Sequence, residues 1–410
     1  MEVIHPHCAG LDVHKDSVVV CLREIANGYV TRETRTFETT TKALLELSEW
    51  LQEKGCSHVA MEATGVYWKP IWHLLEGNFS LVLGNAREIR NVPGRKSDVN
   101  DAAWIADLLA HGLIRASFVP PTPVQELRDL TRTRKQLARE IVQHTLRIQK
   151  TLQTANIKLR SVLSDILGQS GRAIISALLK GETDPDTLAR LADTRVKASR
   201  AKIAEALRGK LTEHHRFLIR AELSVIDALS TMTAKLERRL AKLLSPLRSQ
   251  VEQLATIPGI SITTAQIILA EVGSDVSRFP RPEALRSWAG LCPRLDESAG
   301  KRKSTRTRSG NAWLKTALVQ AAWAASRTKK TYLSAQFHRL KSRRGPKKAA
   351  VAVAASILTA AYCMLRDGTA YRDLGPAHFD ARHHSRTTTR LLQRLADLGV
   401  SVEVRQMAAS

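Results

Sequence analysis

The sequence predicts an α/β N-terminal domain, a helical coiled-coil middle and a mostly helical C-terminal domain. Residues 1–118 alternate strand and helix signals, residues 119–250 contain two long amphipathic segments, and residues 251–375 have the pattern of a compact helical unit. The N-terminal signals follow the order three strands, helix, strand, helix, strand, helix. That order is expected of a ribonuclease H-like fold, in which helices cover a central sheet.

The strands of the N-terminal domain are predicted from period-two alternation and from short apolar runs between turn residues. "AGLDVHKDSVVVCLRE" predicts two strands around a polar turn, and "YVTRETRTFETT" predicts a third. "SHVAMEA" and "SLVLGNA" predict two buried strands. Helices are predicted at "TKALLELSEWLQEKG", which ends at Gly55, at "VYWKPIWHLLEG" and at "KSDVNDAAWIADLLAHG".

The middle of the chain has the spacing of a coiled coil. Apolar side chains recur at intervals of three, four or seven in two segments, which predicts an arm of two long helices, within one chain or between chains. The first series is Leu137, Ile141, Ile148, Leu152, Ala155 and Leu159, and the second is Ile226, Leu229, Leu236, Leu240 and Leu243. Residues 166–220 are predicted as a helical insert with no assigned chemistry, and residues 376–410 as a flexible tail.

The charge of the chain predicts a polyanionic partner. Lys and Arg number 63 against 39 Asp and Glu, which gives a net charge of +24 and a pI near 10.3. Nucleic acid is the first candidate and an anionic membrane surface the second. Residues 301–348 contain many Lys and Arg and no Asp or Glu, whereas an ordinary solvated face mixes both signs.

The remaining bulk features predict a protein of the reducing cytoplasm. The five cysteines form no CxxC pair, so a zinc site or a disulfide framework is not expected. The N-terminal stretch "MEVIHPHCAG" lacks the pattern of a signal peptide. The apolar run of residues 349–365 is short and rich in alanine, which predicts a buried, closely packed helix rather than a membrane span.

Four carboxylates are candidate metal ligands. Asp12 and Glu62 end two predicted core strands, where a charge is costly unless it is paired or bound to a metal. Asp98 and Asp101 lie three residues apart at the start of a predicted helix, so their Cβ atoms would lie about 5–6 Å apart on one face. In a ribonuclease H-like order these ends converge, and four carboxylates would hold Mg²⁺ or Mn²⁺. Two such ions can hold a phosphate on both sides of the scissile bond.

The same carboxylates have structural explanations that the sequence leaves open. Asp12 is equally well explained as the cap of a turn. The helix dipole favours acids in a first turn, which accounts for Asp98 well and for Asp101 in part. Asp107 would lie about 600° around the helix from Asp101, so it is predicted to face solvent or to form a salt bridge.

Two features of the C-terminal domain suggest contacts with DNA. "LATIPGISITTAQIILAEVG" resembles a helix–hairpin–helix module, in which backbone N–H groups of the glycine turn and of the next helix face phosphate, although a plain turn between helices has the same residues. Ser298 lies in the turn "ESAG" immediately before "KRKSTRTR", where basic neighbours can activate a serine and neutralise a pentacoordinate phosphate. On chemistry alone a plain surface serine is the more frequent case, and Ser304 and Ser309 are rivals. The candidates for nucleic-acid contacts are Lys15, Lys96, Gly259, Lys301, Arg302, Lys303, Arg306 and Arg308.

Five motifs together resemble those of a known family. "GLDVHK", "MEATG", "KSDVNDA", "IPGI" and "GLCPRLDESAGKRKSTRTRSGNAWLK", in this order, are similar to the transposases of the IS one-ten family of bacterial insertion sequences. The resemblance covers nearly the whole chain and includes the insert "GQSGRAIISALLKGETDPDTLARLA". It implies a RuvC-like domain with a DEDD set of acids, a coiled-coil segment and a C-terminal transposase domain.

The resemblance also implies roles for particular residues and partners. The acids are Asp12, Glu62, Asp98 and Asp101, with Mg²⁺ or Mn²⁺ as cofactor, and the catalytic serine is Ser298. It implies a 5′-phosphoserine DNA intermediate, a structured noncoding bridge RNA that pairs with donor and target DNA, and dimers that assemble into a tetramer. A composite site formed between two protomers is the corresponding hypothesis.

Two other functions fit parts of the pattern. The first is a Mg²⁺-dependent RuvC-like nuclease or Holliday-junction resolvase that uses the acids and water and forms no covalent adduct. The second is a non-catalytic nucleic-acid-binding protein with a decayed ribonuclease H-like core, which the intact acids count against. A membrane role rests only on the alanine-rich run.

Overall fold

The computed structural model describes residues 2–26, 28–63, 65–90, 92, 101–294, 296–298, 300–304, 306–379 and 384–401. The chain divides into two compact units, residues 1–120 and 121–410. The first break lies two residues beyond the predicted boundary at 118. The further predicted boundaries at residues 250 and 375 stay predictions.

The first unit is built on a mixed five-stranded sheet. Its strands are β1 (Cys8–Val13), β2 (Ser17–Ala26), β3 (Tyr29–Glu38), β4 (His58–Glu62) and β5 (Ser80–Gly84), in the order β3-β2-β1-β4-β5. The first three form an antiparallel meander, and β4 and β5 continue it as strands parallel to β1. Parallel neighbours need a crossover connection, which the intervening helices supply. The predicted order of strands is therefore confirmed.

The helices of the first unit are α1 (Thr41–Glu53), α2 (Trp68–Leu75), α3 (Ala86–Arg90) and α4 (Asp101–Ala110). Three of them were predicted, and the short α3 was not. The Thr40 side chain accepts a hydrogen bond from the backbone N–H of Ala43 and so caps α1. One apolar cluster lies on the sheet face that carries Leu11 and Met61, and a second joins Cys8 and Ala60 to α4. Both faces of β1 are therefore covered.

Gly10 determines how closely α4 packs against β1. A Cβ atom at this position would lie 2.2 Å from the Ala102 carbonyl oxygen and 2.3 Å from the Ala106 nitrogen, both in the backbone of α4. No side-chain rotation relieves such a contact, so any larger residue must push the helix away from the sheet.

Gly10→Ala is therefore expected to destabilise the first unit by about 3 kcal/mol, the upper range for overpacking a core. Urea denaturation followed by circular dichroism measures the change. Gly168→Ala is the matched control, because its Cβ would lie 3.5 Å from its nearest neighbour at a negative φ of −67°. Its effect should stay within about 1 kcal/mol. Equal effects in the two variants would contradict the close approach of α4.

Asp107 anchors α4 to the meander. Its carboxylate accepts hydrogen bonds from the Arg23 Nε at 3.0 Å and from Arg32 at 2.8 and 3.0 Å. The Arg23 side chain is only 4% exposed, so the pair balances a buried charge. The prediction that Asp107 forms a salt bridge is confirmed, which explains the residue without a catalytic role.

The second unit begins with an arm of two long helices, α5 (Thr122–Thr154) and α10 (Glu213–Leu244). Arg134 pairs with Glu237 at 3.1 Å and His144 with Glu222 at 2.5 Å, so the helices run antiparallel within one chain. The short α6 (Leu159–Val162) precedes the insert, which contains α7 (Gln169–Leu179), α8 (Pro185–Arg190) and α9 (Arg200–Ala206). The insert shares one apolar core with the end of the arm, which includes Ile148. The two predicted arm helices are confirmed, but the first ends at Thr154, before the predicted Ala155 and Leu159, because Asn156 adopts a φ of +58°. Their coiled-coil geometry stays a prediction.

The C-terminal part of this unit is mostly helical. It contains α11 (Arg248–Ala255), α12 (Ile262–Val272), α13 (Pro282–Trp288), the hairpin β6 (Asp296–Ser298) and β7 (Lys301–Ser304), α14 (Ala312–Ala325), α15 (Tyr332–Arg344), α16 (Pro346–Asp367) and α17 (His384–Asp397). Helix α17 was not predicted, and the flexibility of residues 376–410 stays a prediction.

Helix α16 is the core helix of the C-terminal part. Its alanine-rich face is buried, and the Tyr362 hydroxyl donates a hydrogen bond of 2.7 Å to the Phe279 carbonyl. Of the helices in the described part of the chain, α16 alone is long and apolar enough to cross a membrane by composition, and half of its most apolar stretch is buried. That burial accounts for its hydropathy, as the sequence predicted.

Candidate active site

The sheet brings Asp12 and Glu62 together. Strands β1 and β4 are parallel neighbours with Leu11 opposite Met61, so the next residues in the same register are Asp12 and Glu62. Neighbouring strands lie about 4.8 Å apart. Because side chains alternate along a strand, both carboxylates lie on the face opposite to buried Leu11 and Met61, the face that α4 covers.

Helix α4 presents its N-terminus to the same edge of the sheet. Its last residue, Ala110, accepts a hydrogen bond from the Ile4 nitrogen ahead of β1, and Ala102 contacts Gly10 further along that strand. The helix therefore runs antiparallel to β1, and Asp101, its first residue, lies towards the strand ends that carry Asp12. The predicted ligand Asp98 and the predicted phosphate contact Lys96 lie outside the described residues.

The two strand-end carboxylates are largely shielded from solvent. The side chain of Asp12 is 22% exposed and lies 3.2 Å from the His14 Nε2, and that of Glu62 is 12% exposed and lies 3.6 Å from an Arg90 guanidinium nitrogen. Lys15, in the turn after β1, is exposed. Within the described residues, no group of three or more His, Cys, Asp or Glu side chains lies close enough to hold a metal ion.

The donor chemistry at this edge nevertheless fits a hard divalent cation. Mg²⁺ binds through one or two carboxylates and keeps several waters, so it needs no complete protein cage. Asp12 and Glu62 supply such oxygens from adjacent strands. Their neighbours, His14 and Arg90, are 58% and 67% exposed, so both side chains can move into solvent at little cost.

Ser298 lies at the end of a short hairpin strand. It is the last residue of β6 and pairs with Lys301, the first residue of β7, so only two residues connect the strands. Gly300 in this turn has a φ of +71°, which glycine adopts without strain. The turn predicted from "ESAG" is thus a hairpin, and the side chains of residues 296–298 are not described.

Backbone contacts join the two segments that continue the hairpin, residues 292–294 and 306–308, which form its base. Pro293 bridges Thr307, the Arg294 nitrogen donates to the Arg306 carbonyl at 2.8 Å, and the Arg308 nitrogen donates to Cys292 at 3.1 Å. Just beyond these contacts, a Cβ atom on Gly310 would lie 2.4 Å from the Gly290 nitrogen, so the backbones of these two glycines are in direct contact. The base of the hairpin is therefore held in place.

Buried Glu271 lies beneath this base and was missed from the sequence. Its side chain is fully buried, and its oxygens accept from both ends of the Arg132 guanidinium at 2.8 and 2.7 Å and from the Asn311 amide at 2.6 Å. Asn311 also caps α14. Arg128 donates to the Ala270 carbonyl at the end of α12. Its pKa is lowered to about 10 by burial, against the opposing charge of Glu271. The sequence signal that could have revealed Glu271 is the presence of an acid within the apolar run "IILAEVG".

A basic and aromatic cluster lies on the same part of α5. Arg132, Lys135 and Arg139 place their charges 5.7, 5.9 and 5.6 Å from the centre of the Trp313 ring. Burial and the nearby Arg139 lower the pKa of Lys135. These three positive charges lie close to one tryptophan ring, and none of the three residues was predicted from the sequence to contact nucleic acid.

The "IPGI" turn joins α11 and α12 as predicted, and its glycine has a structural explanation. The Ile260 nitrogen donates to the Ile257 carbonyl at 2.9 Å, and Gly259, after Pro258, has a φ of +88°, as in a type II turn. A Cβ on Gly259 would lie 2.3 Å from the Ala321 carbonyl of α14. A role of this turn in DNA binding stays a prediction.

The other predicted contacts are only partly described. Lys301, Arg306 and Arg308 are exposed on the hairpin segment, while the side chains of Arg302 and Lys303 lie outside the described residues. Among the rival serines, Ser309 is exposed. The Ser304 hydroxyl accepts from the Arg306 nitrogen at 3.2 Å.

Comparison with known proteins gives the class of the chain. Residues 9–157 match the DEDD transposase model of IS110, described as "Transposase", and residues 251–339 match the model of the "Transposase IS116/IS110/IS902 family". The first match contains Asp12, Glu62 and Asp101 and the second contains Ser298, and both matches give the class as transposase. The chain belongs to the IS110 family of transposases.

Two relatives support this assignment. The chain is 28% identical over 316 residues to the uncharacterized 43.6 kDa protein of insertion element IS110 from Streptomyces coelicolor, covering 70% of this chain and 74% of that protein. It is 31% identical over 126 residues to a Sinorhizobium fredii protein that carries the name of a transposase, y4pF/y4sB, covering 30% of this chain and 32% of that protein. Family membership implies an enzyme that cleaves and rejoins DNA.

Proposed function

We propose that this transposase cuts and rejoins donor and target DNA through a covalent phosphoserine intermediate, with acidic residues at a metal site and a bridge RNA as guide. The observation that carries the proposal is the register that places Asp12 beside Glu62 at the strand ends that α4 covers. Two shielded carboxylates on adjacent strands repel each other unless a cation or a proton joins them.

The metal site in this proposal consists of Asp12, Glu62, Asp98 and Asp101. These carboxylates would hold Mg²⁺ or Mn²⁺, which supplies neutralising charge to a bound phosphate. The exposed Lys15, three residues after Asp12, is positioned in the chain to add a contact with the same DNA strand. His14 and Arg90, which now neighbour the carboxylates, would move into solvent.

Ser298 is the nucleophile in this proposal. Its hydroxyl oxygen forms a bond to phosphorus, and the bond from phosphorus to the 3′ oxygen of the neighbouring nucleotide breaks. The serine proton passes to solvent, and the leaving 3′ oxygen takes up a proton. A 3′ hydroxyl from another strand then attacks the 5′-phosphoserine and releases the serine. The nearby Lys301, Arg306 and Arg308 stabilise the charge on the phosphate.

The remaining parts of the proposal concern partners. A structured noncoding RNA from the same element would pair with donor and target DNA, and dimers would assemble into a tetramer on them. The net charge of +24 suits long nucleic acids, because each neutralised phosphate releases counterions. RNA of one defined length that copurifies with the protein is the expected observation.

Trapping on a suicide DNA substrate tests the nucleophile. With nicked DNA from the flanks of the reading frame, the wild-type protein should form a covalent adduct, and Ser298→Ala should form none because it lacks the attacking oxygen. Ser309→Ala is the matched control, an exposed serine eleven residues further along the same basic stretch, and it should trap DNA normally. An adduct that persists in Ser298→Ala would overturn the assignment.

A hydrolytic RuvC-like nuclease is the second candidate, because the DEDD domain fits it as well. It predicts Mg²⁺-dependent cleavage without any adduct and full activity of Ser298→Ala. A non-catalytic nucleic-acid-binding protein predicts binding without strand cleavage under any divalent metal. The same trapping experiment therefore separates all three functions.

A further inference from the structure

A cavity of about 320 Å³ lies in the C-terminal part of the second unit. One wall is the C-terminal half of α15, and the other is formed by the chain after α16 and by α17. The residues that line it include Arg339, Ser342, Arg343, Pro376, Phe379 and Arg390. Neither the predicted nucleic-acid contacts nor the proposed metal site includes any of these residues.

Aromatic contacts line one side of the cavity and orient one of its arginines. The Phe379 ring stacks on Tyr332 with their centres 4.9 Å apart, and the Arg339 guanidinium lies 5.2 Å from the centre of the Phe379 ring. The ring of His378 packs edge-on against Tyr332 at 5.3 Å. The segment before α17 is therefore attached to α15, and Arg339 is oriented by an aromatic ring rather than by an acid.

The cavity carries uncompensated positive charge. None of its described lining residues is acidic, and no ion pair among the described residues includes Arg339, Arg343 or Arg390. The nearby Asp373 is engaged elsewhere, since it accepts hydrogen bonds from the Tyr332 and Gly375 nitrogens at 2.9 and 2.7 Å. Three exposed arginines line one cavity with no acid among its described lining residues, an arrangement that favours an anion.

We propose that this cavity binds the phosphodiester backbone of a nucleic-acid strand, with Arg339, Arg343 and Arg390 as the phosphate ligands. The guanidinium fork matches phosphate geometry. The Phe379 ring already contacts Tyr332 and Arg339, so the cavity offers charged groups rather than an open aromatic face for a base. This inference rests on the proposed action of the protein on nucleic acid, and it assigns the chain after α16 a direct role in binding.

Fluorescence anisotropy on the full-length protein tests the site with labelled duplex DNA, single-stranded DNA and single-stranded RNA. The Arg343→Gln/Arg390→Gln variant should weaken binding of one strand type about 10-fold. It should also reduce the slope of log K against log salt by about 0.7 to 0.9 for each phosphate that the protein no longer neutralises. The strand type whose affinity falls most identifies the bound nucleic acid as DNA or RNA.

Lys341→Gln/Arg344→Gln is the matched control, because it removes two exposed positive charges from the same end of α15 outside the cavity. It should change affinity by less than about threefold. Equal decreases in affinity in the two double variants would overturn the site, since general charge alone would then explain binding. Failure of the wild-type protein to bind any nucleic acid would instead reject the proposed function. Circular dichroism verifies that both variants fold.

Discussion

Asp12→Asn is expected to reduce DNA cleavage by about 10³-fold while leaving DNA binding nearly unchanged. The substitution keeps the shape of the side chain and removes the charge that a divalent cation needs. Asp12 lies beside Glu62 across adjacent parallel strands, so the loss of one carboxylate removes half of the pair that the sheet provides. Cleavage of labelled element DNA at several Mg²⁺ concentrations measures the effect.

The matched control for this variant is Asp16→Asn. Asp16 is an exposed acid in the turn after β1, four residues beyond Asp12, and its substitution should leave cleavage within about twofold of wild type. Excess Mn²⁺ should restore part of the activity of Asp12→Asn, because Mn²⁺ accepts a wider range of ligands. Full cleavage by Asp12→Asn at low Mg²⁺ would show that DNA cleavage does not need the Asp12 carboxylate.

Glu271→Gln is expected to destabilise the second unit by about 3–5 kcal/mol. The carboxylate is fully buried and accepts two hydrogen bonds from Arg132 at 2.8 and 2.7 Å and one from Asn311 at 2.6 Å. Without its charge, Arg132 and the largely buried Arg128 would lose the buried carboxylate that lies against both of them. Urea denaturation followed by circular dichroism measures the change.

Glu252→Gln is the matched control for that destabilisation. Its carboxylate pairs with Arg248 at 2.8 Å on an exposed helix surface, where such a pair contributes about 0.3–0.5 kcal/mol. Glu271→Gln should also reduce adduct formation by Ser298 at temperatures where the variant is folded, because Asn311 connects the hairpin base to Glu271. Equal stabilities of the two variants would mean that the buried arginines are compensated in another way.

The fold of the first unit could be predicted well because its signals are local. Period-two alternation in residues 17–38 and the apolar runs that end at Glu62 and Gly84 each specify a strand without information from elsewhere. The turn chemistry of Gly55 and of Pro258–Gly259 likewise acts over a few residues. Helix α17 was missed because the polar composition of residues 376–410 suggested a tail.

The candidate site could be predicted only in part, because it depends on register. The sequence identified Asp12 and Glu62 as acids at strand ends that converge in a ribonuclease H-like order, but their register follows from the pairing of Leu11 with Met61. The exclusion of Asp107 was predicted from helical geometry, whereas its partners Arg23 and Arg32 lie more than seventy residues earlier in the chain. The assignment of Ser298 over Ser304 and Ser309 rests on family resemblance and awaits the trapping experiment.

By itself the sequence determined the order of the N-terminal strands and of most helices, the basic character and the family, because periodicity, charge and motif spacing can all be observed along the chain. Only the tertiary structure decided that Glu271 is a buried anchor beneath the Ser298 hairpin and that Arg390 faces the arginines of α15. Burial and the convergence of distant charges depend on how the helices pack, and no local pattern in the sequence records that packing.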